Sequence, residues 1–395
     1  MRASSRWRWR DERSTLPASA LAGTGPPRPD IEPRTRWAFR ARPPRDKRWR
    51  PMLSRARPGR PDGCRPPEPA RQCGGPGMSV LLIALFSLIL LLALLGAAGV
   101  FTWGERRLLG FLQERLGPNR VGPFGFLQWV ADTLKLLTKE DAPPAGADLA
   151  AYRLAPALAA FPMLAGFGVV AFAPRLVISD LDVGVLFVMG MLALTVWALV
   201  LGAWGSRNRY AMLGGLRAAA QMLAYESFLG LSLMGCVLLA GSFRMGDIVA
   251  AQEGGLWFIL LQPLGAALFF LAGLAAAHRL PFDLQESEQD LVAGFMTEYS
   301  GMSFALFFLG EYLAILLVAA LFTTLFLGGW AGPILPGPVW FGLKVAAISV
   351  VFVWLRAALP RPRYDQLISF AWKVALPLAL LNLLVTAWIA VGRAA

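Results

Sequence analysis

The chain is dominated by long runs of apolar residues that are separated by shorter polar stretches. Eight runs are long enough to cross a bilayer, near 79–103, 154–174, 183–204, 219–242, 256–277, 302–327, 339–356 and 367–391. A hydrocarbon core of about 30 Å is crossed by roughly 20 apolar residues in an α-helix. A helix also satisfies its own backbone hydrogen bonds in lipid. The pattern therefore predicts an all-α, polytopic membrane protein with about eight transmembrane helices.

The first loop, residues 104–153, contains a second pattern. Between residues 124 and 137, apolar side chains recur at spacings of three and four, at Phe124, Leu127, Val130, Ala131, Leu134 and Leu137. This spacing places them along one face of a helix. We expect an amphipathic helix that lies in the membrane interface.

The distribution of Lys and Arg predicts the orientation. The loops after the first, third, fifth and seventh runs hold most of these residues, whereas the other loops hold only Arg175 and Arg244. Cytoplasmic loops carry an excess of Lys and Arg. We therefore expect a multi-pass protein of the bacterial inner membrane, with the long odd-numbered loops in the cytoplasm.

Charge changes the picture at the N-terminus only. The net charge of the chain is +13, but residues 1–77 hold 19 Lys and Arg against 7 Asp and Glu. That region is rich in Arg and Pro and has neither a helical nor a strand period. A basic arm for nucleic acid or a lipid surface is one interpretation. The preferred one is a disordered or wrongly assigned extension, followed by a transmembrane domain at 78–395 and no nucleic-acid partner.

Cysteine usage argues against a metal or cluster site. Cys64, Cys73 and Cys236 have no paired spacing of the kind that holds zinc or iron–sulfur clusters. We therefore expect that this chain binds neither a metal nor an iron–sulfur cluster, and, since no nucleotide fingerprint is visible, we expect no flavin either.

Acidic residues in or beside the runs are the strongest chemical signal. Glu226 and Glu311 lie inside runs, and the loop at 278–301 adds others. The predicted acidic series is Glu226, Asp283, Glu286, Glu288, Asp290, Glu298 and Glu311. Carboxylates at such depth must pair, reach water or become protonated. A series of them predicts a path for protons, and solvated loop acids are the alternative for residues 286–290.

A rigid turn follows the first run. Residues 105–107 read Glu-Arg-Arg, and residues 117–123 read Gly-Pro-Asn-Arg-Val-Gly-Pro, which favours a tight non-helical turn. Together with the amphipathic helix, this turn could wall a crevice that opens into the bilayer. His278, the sole histidine, is expected to pack at the interface, while Lys344 and Lys373 are expected to extend toward it.

Four motifs resemble one family in type and order. They are residues 104–123, continued at 131–140, then 281–299, 304–312 and 359–367. Over residues 78–395 the chain resembles the H-type membrane subunit of proton-pumping NADH–quinone oxidoreductase (respiratory complex I), the counterpart of mitochondrial NADH dehydrogenase subunit 1. The resemblance does not extend to residues 1–77.

The resemblance implies a subunit that is not catalytic alone and that takes quinone as its substrate. It implies a quinone chamber shaped by Glu105, Arg106, Arg115, Arg120, Arg279 and Phe304. It also implies that the acidic series links this chamber to the pumping subunits. The partners would be the iron–sulfur subunits of the peripheral arm, neighbouring small membrane subunits and lipid, with NADH bound elsewhere in the complex.

Two other functions remain compatible with the residues. A related membrane subunit of a [NiFe]-hydrogenase or formate-hydrogen lyase complex would share the fold and some of the acids. A stand-alone proton or cation transporter would explain Glu226 and Glu311 but not the long first-loop motif.

Overall fold

The structure, a computed structural model, describes residues 80–394 except 175, 254, 286–291 and 334. The predicted extension at 1–77, with Cys64 and Cys73, therefore lies outside the described residues. The helices are α1 Val80–Leu112, α2 Gln128–Thr138, α3 Leu149–Phe167, α4 Gly184–Gly205, α5 Arg209–Ala240, α6 Met245–Ala250, α7 Phe258–Leu261, α8 Pro263–Ala276, α9 Gly301–Phe326, α10 Gly337–Ala358, α11 Tyr364–Phe370 and α12 Leu376–Ala394. A π-helical turn, Ala371–Ala375, joins the last two. No β-strand occurs within these described ranges, so the all-α prediction is confirmed.

Seven helical segments in the described part of the chain are long and apolar enough to cross a membrane. They correspond to seven of the eight predicted runs. The fifth run, 256–277, differs because it folds as two shorter helices, α7 and α8. Pro263 has no N–H, and Gln262 before it leaves the helical region (φ −135°, ψ 62°). The resulting α8 has 14 residues, or roughly 21 Å at 1.5 Å per residue.

The predicted interfacial helix is present but begins later than expected. A short 3₁₀ turn, Pro123–Gly125, precedes α2, and Phe124 has a left-handed backbone with φ 54°. A bulky residue with positive φ cannot continue an α-helix, so the helix starts at Gln128 rather than at residue 124. None of the residues of α2 is fully buried, as suits a helix lying against the edge of the bundle.

The core of the bundle is organised around α9. In its most apolar stretch 67% of the residues are buried, compared with 11% for α1 at the periphery. Close approach to α3 depends on Gly310, where a Cβ atom would lie 2.7 Å from the backbone oxygen of Ala159. Small residues permit such backbone proximity between membrane helices.

Lys344 departs from the expectation that it would extend to the interface. It is only 7% exposed, and its ammonium group donates to the backbone oxygens of Leu327, Gly329 and Ala331 at 2.6, 3.0 and 2.8 Å. All three N–H donors of the lysine are thereby used. Lys344 therefore fastens the chain just after α9 ends to the side of α10.

Replacing this lysine should loosen that connection. In Lys344→Met, three carbonyl groups lose a charged donor, and we expect a stability loss of about 1.5–3 kcal/mol. The measurement is the thermal midpoint of the purified assembly. The matched control is Lys373→Met, because Lys373 is exposed. Equal midpoints for the two variants would contradict the role assigned to Lys344.

Candidate functional site

Four charged side chains meet where α1, α9 and α10 approach the loop that follows α8. Arg279 lies 3.5 Å from Glu105 and 3.9 Å from Glu311, measured between nitrogen and oxygen atoms. Arg356 donates a hydrogen bond to Glu105. We call Glu105, Arg279, Glu311 and Arg356 the ionic cluster. Glu105, Arg279 and Glu311 are each less than 9% exposed, so their charges depend on one another rather than on bulk water.

The ionic cluster is not fully satisfied. One carboxylate oxygen each of Glu105 and Glu311, and two nitrogens of Arg279, are buried without a hydrogen-bond partner. Burial acts to lower the pKa of Arg279, but Glu105, Tyr312 and Glu311 outweigh it and raise that pKa, so the guanidinium stays charged. Buried polar groups without partners are uncommon and are often found where water or a proton is handled.

A large cavity lies on one side of this cluster. It measures about 1060 Å³ and is lined mainly by α1, α2 and α9. Its wall includes Gly99, Arg106, Asp132, Phe304, Leu309 and Tyr312. Tyr312 also touches the ionic cluster, because the guanidinium of Arg279 lies 4.3 Å from the centre of its ring. One aromatic ring thus separates the cavity from the buried charges.

Two consecutive residues of α1 contribute to the ionic cluster and to the large cavity. Neighbouring helical residues project about 100° apart, so Glu105 enters the ionic cluster while Arg106 lines the cavity. Arg106 forms an ion pair with Asp132 of α2 at 2.6 Å, and Gln128 also donates to Asp132 at 3.0 Å. The pair holds α2 against α1 and sets one edge of the cavity.

Asp283 belongs to the loop after α8 and lies close to the ionic cluster. Its Oδ2 is 3.0 Å from Arg361, while its Oδ1 is buried without a partner. Burial raises the pKa of Asp283 to about 6, with Arg361 opposing the rise and Glu311 adding to it. Asp283 is therefore a carboxyl group that can exchange a proton near neutral pH.

The remaining predicted acids are distributed along the bundle. Glu298 accepts a hydrogen bond from Asn208 at 2.6 Å, beside the N-terminus of α5. Glu226 is partly buried in α5 and has an unpartnered carboxylate oxygen. The predicted residues Glu286, Glu288 and Asp290 lie outside the described residues.

The six predicted chamber residues occupy three different places. Arg106 and Phe304 line the large cavity, and Glu105 and Arg279 lie in the ionic cluster. Arg115 and Arg120 are exposed in the first loop, where Arg115 donates to Gln113 at 2.8 Å. The structure thus divides four of these side chains between the large cavity and the ionic cluster, and it places Arg115 and Arg120 in the exposed first loop.

Sequence reasoning missed Arg356 and Tyr312. Arg356, in the last turn of α10, pairs with Glu105 but is not among the predicted chamber residues. The sequence does indicate that Glu105 has a cationic partner, because a glutamate near the end of a membrane helix requires one. The choice among several arginines, however, depends on how the helices pack.

Comparison with known proteins decides among the candidate families. Residues 84–387 match the sequence model of the NADH dehydrogenase family. A relative from Rhodopseudomonas palustris (strain HaA2), named as an H-type subunit (copy 1) of NADH-quinone oxidoreductase, is 70% identical over 318 residues, which are 80% of this chain and 99% of the relative. The chain belongs to the family of H-type subunits of NADH-quinone oxidoreductase.

Other members of this family are also similar to the chain. A second copy of the H-type subunit, from R. palustris (strain ATCC BAA-98 / CGA009), is 69% identical over 80% of this chain and 99% of its own length. Its counterpart from Geobacter sulfurreducens is 51% identical over 76% of this chain and 94% of its own length. The resemblance drawn from the four loop motifs is confirmed, and it favours this subunit over the hydrogenase and stand-alone transporter interpretations.

The pair formed by Asp283 and Arg361 gives a pH-dependent prediction. In wild-type complex the Asp283 carboxyl should titrate with a midpoint near pH 6. Since Arg361 lowers its pKa, Arg361→Gln should move the midpoint upward. The midpoint is measured from infrared spectra recorded at a series of pH values around 6. The Asp283→Asn variant identifies the carboxyl band of Asp283 in these spectra. Arg363→Gln is the control, because Arg363 is 80% exposed and pairs with Asp365 instead. An unchanged midpoint in Arg361→Gln would contradict the prediction.

Proposed function

We propose that this chain is the membrane-arm subunit of a proton-pumping NADH–quinone oxidoreductase, that the large cavity is its quinone chamber, and that its buried acids couple quinone reduction to proton translocation. On this proposal the protein is a multi-pass subunit of the bacterial inner membrane, and its long loops face the cytoplasm. Neighbouring iron–sulfur subunits deliver the electrons. Quinone is the substrate, while NADH and the redox cofactors are bound elsewhere in the complex.

The chemistry of the cavity supports the assignment to quinone. A quinone joins a polar ring with two carbonyl groups to a long apolar tail, so its site needs both kinds of wall. Leu92, Leu95 and Phe308 supply apolar surface, and Arg106 and Lys135 supply charge at the loop end of the cavity. A volume of about 1060 Å³ is slightly above the range of roughly 300–1,000 Å³ that is typical of ligand sites.

The single observation that carries the coupling proposal is the position of Tyr312. Its ring lines the cavity and also contacts Arg279 of the ionic cluster. Reduction of quinone to quinol takes up two electrons and two protons. Negative charge developing in the cavity attracts Arg279, which weakens its hold on Glu105 and Glu311. Arg279 lies about 4 Å from each glutamate, and two unit charges at that distance interact by about 4 kcal/mol at an effective dielectric constant of 20. Losing part of this interaction is enough to shift the equilibrium between the protonated and ionised forms of the glutamates.

A bulky residue in the cavity wall tests the chamber. Ala305 lines the cavity, and Ala305→Trp should obstruct it. We expect the KM for quinone to rise on the order of tenfold, which corresponds to about 1.4 kcal/mol of lost binding. Electron transfer from NADH to a water-soluble artificial acceptor should stay normal. The control is Leu384→Trp, because Leu384 is 69% exposed and does not line the cavity. An unchanged KM in the Ala305 variant would exclude this cavity as the quinone route.

Removing the charge of Glu311 tests the coupling path. In membranes carrying Glu311→Gln, we expect proton translocation and quinone reduction to fall at least about tenfold, as is typical when a positioned proton-transfer group is lost. Glu114→Gln serves as the control, since Glu114 is exposed in the first loop. If both activities survive unchanged in Glu311→Gln, the assignment of Glu311 to the path is wrong.

A further inference from the structure

His278, the sole histidine of the chain, is a buried titratable group that the proposed function leaves unused. It is 6% exposed, and neither Nδ1 nor Nε2 has a hydrogen-bond partner. Its backbone is left-handed, with φ 52°, at the point where the chain leaves α8 and turns toward Arg279. The expectation that His278 only packs at the interface does not account for two unpartnered ring nitrogens, since buried polar atoms normally find partners.

A small cavity adjoins the ring. It offers about 20 Å³ of space to the centre of a water molecule, and roughly 10–15 Å³ is enough to hold one. Glu311 lines the same cavity, and its Oε1 also lacks a partner. The other lining residues come from α3, α4, α8, α9 and the turn Gly294–Met296, and among the described residues none of them is titratable. Two titratable side chains, His278 and Glu311, therefore share this cavity, and the hydroxyl of Thr195, which also lines it, already donates to the backbone oxygen of Leu192.

The charge state of the ring is set by its surroundings. Burial, and secondarily the charge of Arg279, lower the pKa of His278 to about 4. The charged groups that face it are Arg279, next in the chain, and Glu311 from α9. At neutral pH the ring is therefore uncharged, and one nitrogen donates a hydrogen bond while the other accepts one. A neutral imidazole can take a proton on one nitrogen while it releases the proton on the other.

We propose that a water molecule occupies this cavity, hydrogen-bonded to both His278 and Glu311, and that His278 passes protons through it to the Glu311 carboxylate. Because both ring nitrogens are buried, a further water molecule must bring the proton to one of them; as that nitrogen takes up the proton, the proton on the other nitrogen leaves for the water in the cavity. The water gives a proton to Glu311, so the carboxylate becomes a carboxylic acid. The ring ends neutral in its other tautomer, and the water is unchanged. The inference rests on the proposed role of Glu311 and adds a proton donor to it.

The first test compares two variants in the intact complex. His278→Gln retains hydrogen-bonding atoms but has no second nitrogen through which a proton can leave. We expect the rate of proton translocation per assembled complex to fall at least about fivefold, a smaller loss than removal of the acid itself. Met163→Leu is the control, because Met163 is fully buried in α3 and lines neither cavity, and Leu has similar volume and polarity. It should translocate protons at the wild-type rate, and an equal loss in both variants would overturn the relay in favour of simple packing.

A solvent isotope measurement separates relay from structure. If His278 passes protons, the slower route left in His278→Gln makes proton transfer limit the rate, and the deuterium isotope effect on translocation should increase. A folding defect would reduce the amount of active complex without changing that effect. An unchanged isotope effect would overturn the relay, whether the rate is normal or reduced.

Glu311→Gln distinguishes this inference from the proposed function. Normal proton translocation in Glu311→Gln overturns both the proposed role of Glu311 and the relay through His278. Impaired translocation in Glu311→Gln with normal translocation in His278→Gln overturns the relay alone. Should His278→Gln fail to assemble, a high-resolution map of wild-type complex decides: density for water within hydrogen-bond distance of His278 and Glu311 supports the proposal, and an empty cavity overturns it.

Discussion

The ion pairs of Arg279 with Glu105 and Glu311 constrain the rest of this structure. A charge far from water is stable only beside its counterion, and breaking a buried pair by removing one partner costs about 3–5 kcal/mol. Glu105 comes from α1, Glu311 from α9 and Arg356 from α10, while Arg279 comes from the loop after α8. The ionic cluster therefore fixes the relative positions of three membrane helices and one loop.

Two cavities of very different size lie beside this cluster. The larger one has Tyr312 in its wall and suits an amphipathic ligand, while the smaller one has Glu311 and His278 in its wall and suits a water molecule. Tyr312 and Glu311 are adjacent in α9, so one turn of a single helix contacts both spaces. On the proposed function, this arrangement lets an event in the large cavity act on a carboxylate without a large movement of the helices.

Much of the fold could be predicted from the sequence, because length and hydropathy determine where a helix can cross a membrane. The break at Gln262 could not be predicted in the same way, since Pro162 and Pro377 occur within helical segments that persist whereas Pro263 ends one. The position of the Lys344 side chain was also predicted wrongly. Lys344 lies near the end of a helix, which suggested a side chain at the interface, but it points inward and donates to three backbone carbonyl groups.

The acidic residues of the candidate site could be predicted from the sequence, but the residues that contact them could not. Glu226 and Glu311 are conspicuous because charge within an apolar run is costly. Which cation neutralises Glu105 depends on tertiary packing, and Arg356 is 251 residues away in the chain. Tyr312 gives no signal of its own in the sequence, since an aromatic residue in an apolar run is usually a packing residue. Its significance comes from lying between a cavity and a guanidinium group.

The central claim is that quinone chemistry in the large cavity changes the protonation of the ionic cluster. Redox-induced infrared difference spectra of the intact complex measure this directly, because they record carboxyl groups that gain or lose protons when quinone is reduced. We expect a carboxyl band in the wild-type spectrum that is absent from the Glu311→Gln spectrum. Identical carboxyl regions in the two spectra would contradict it.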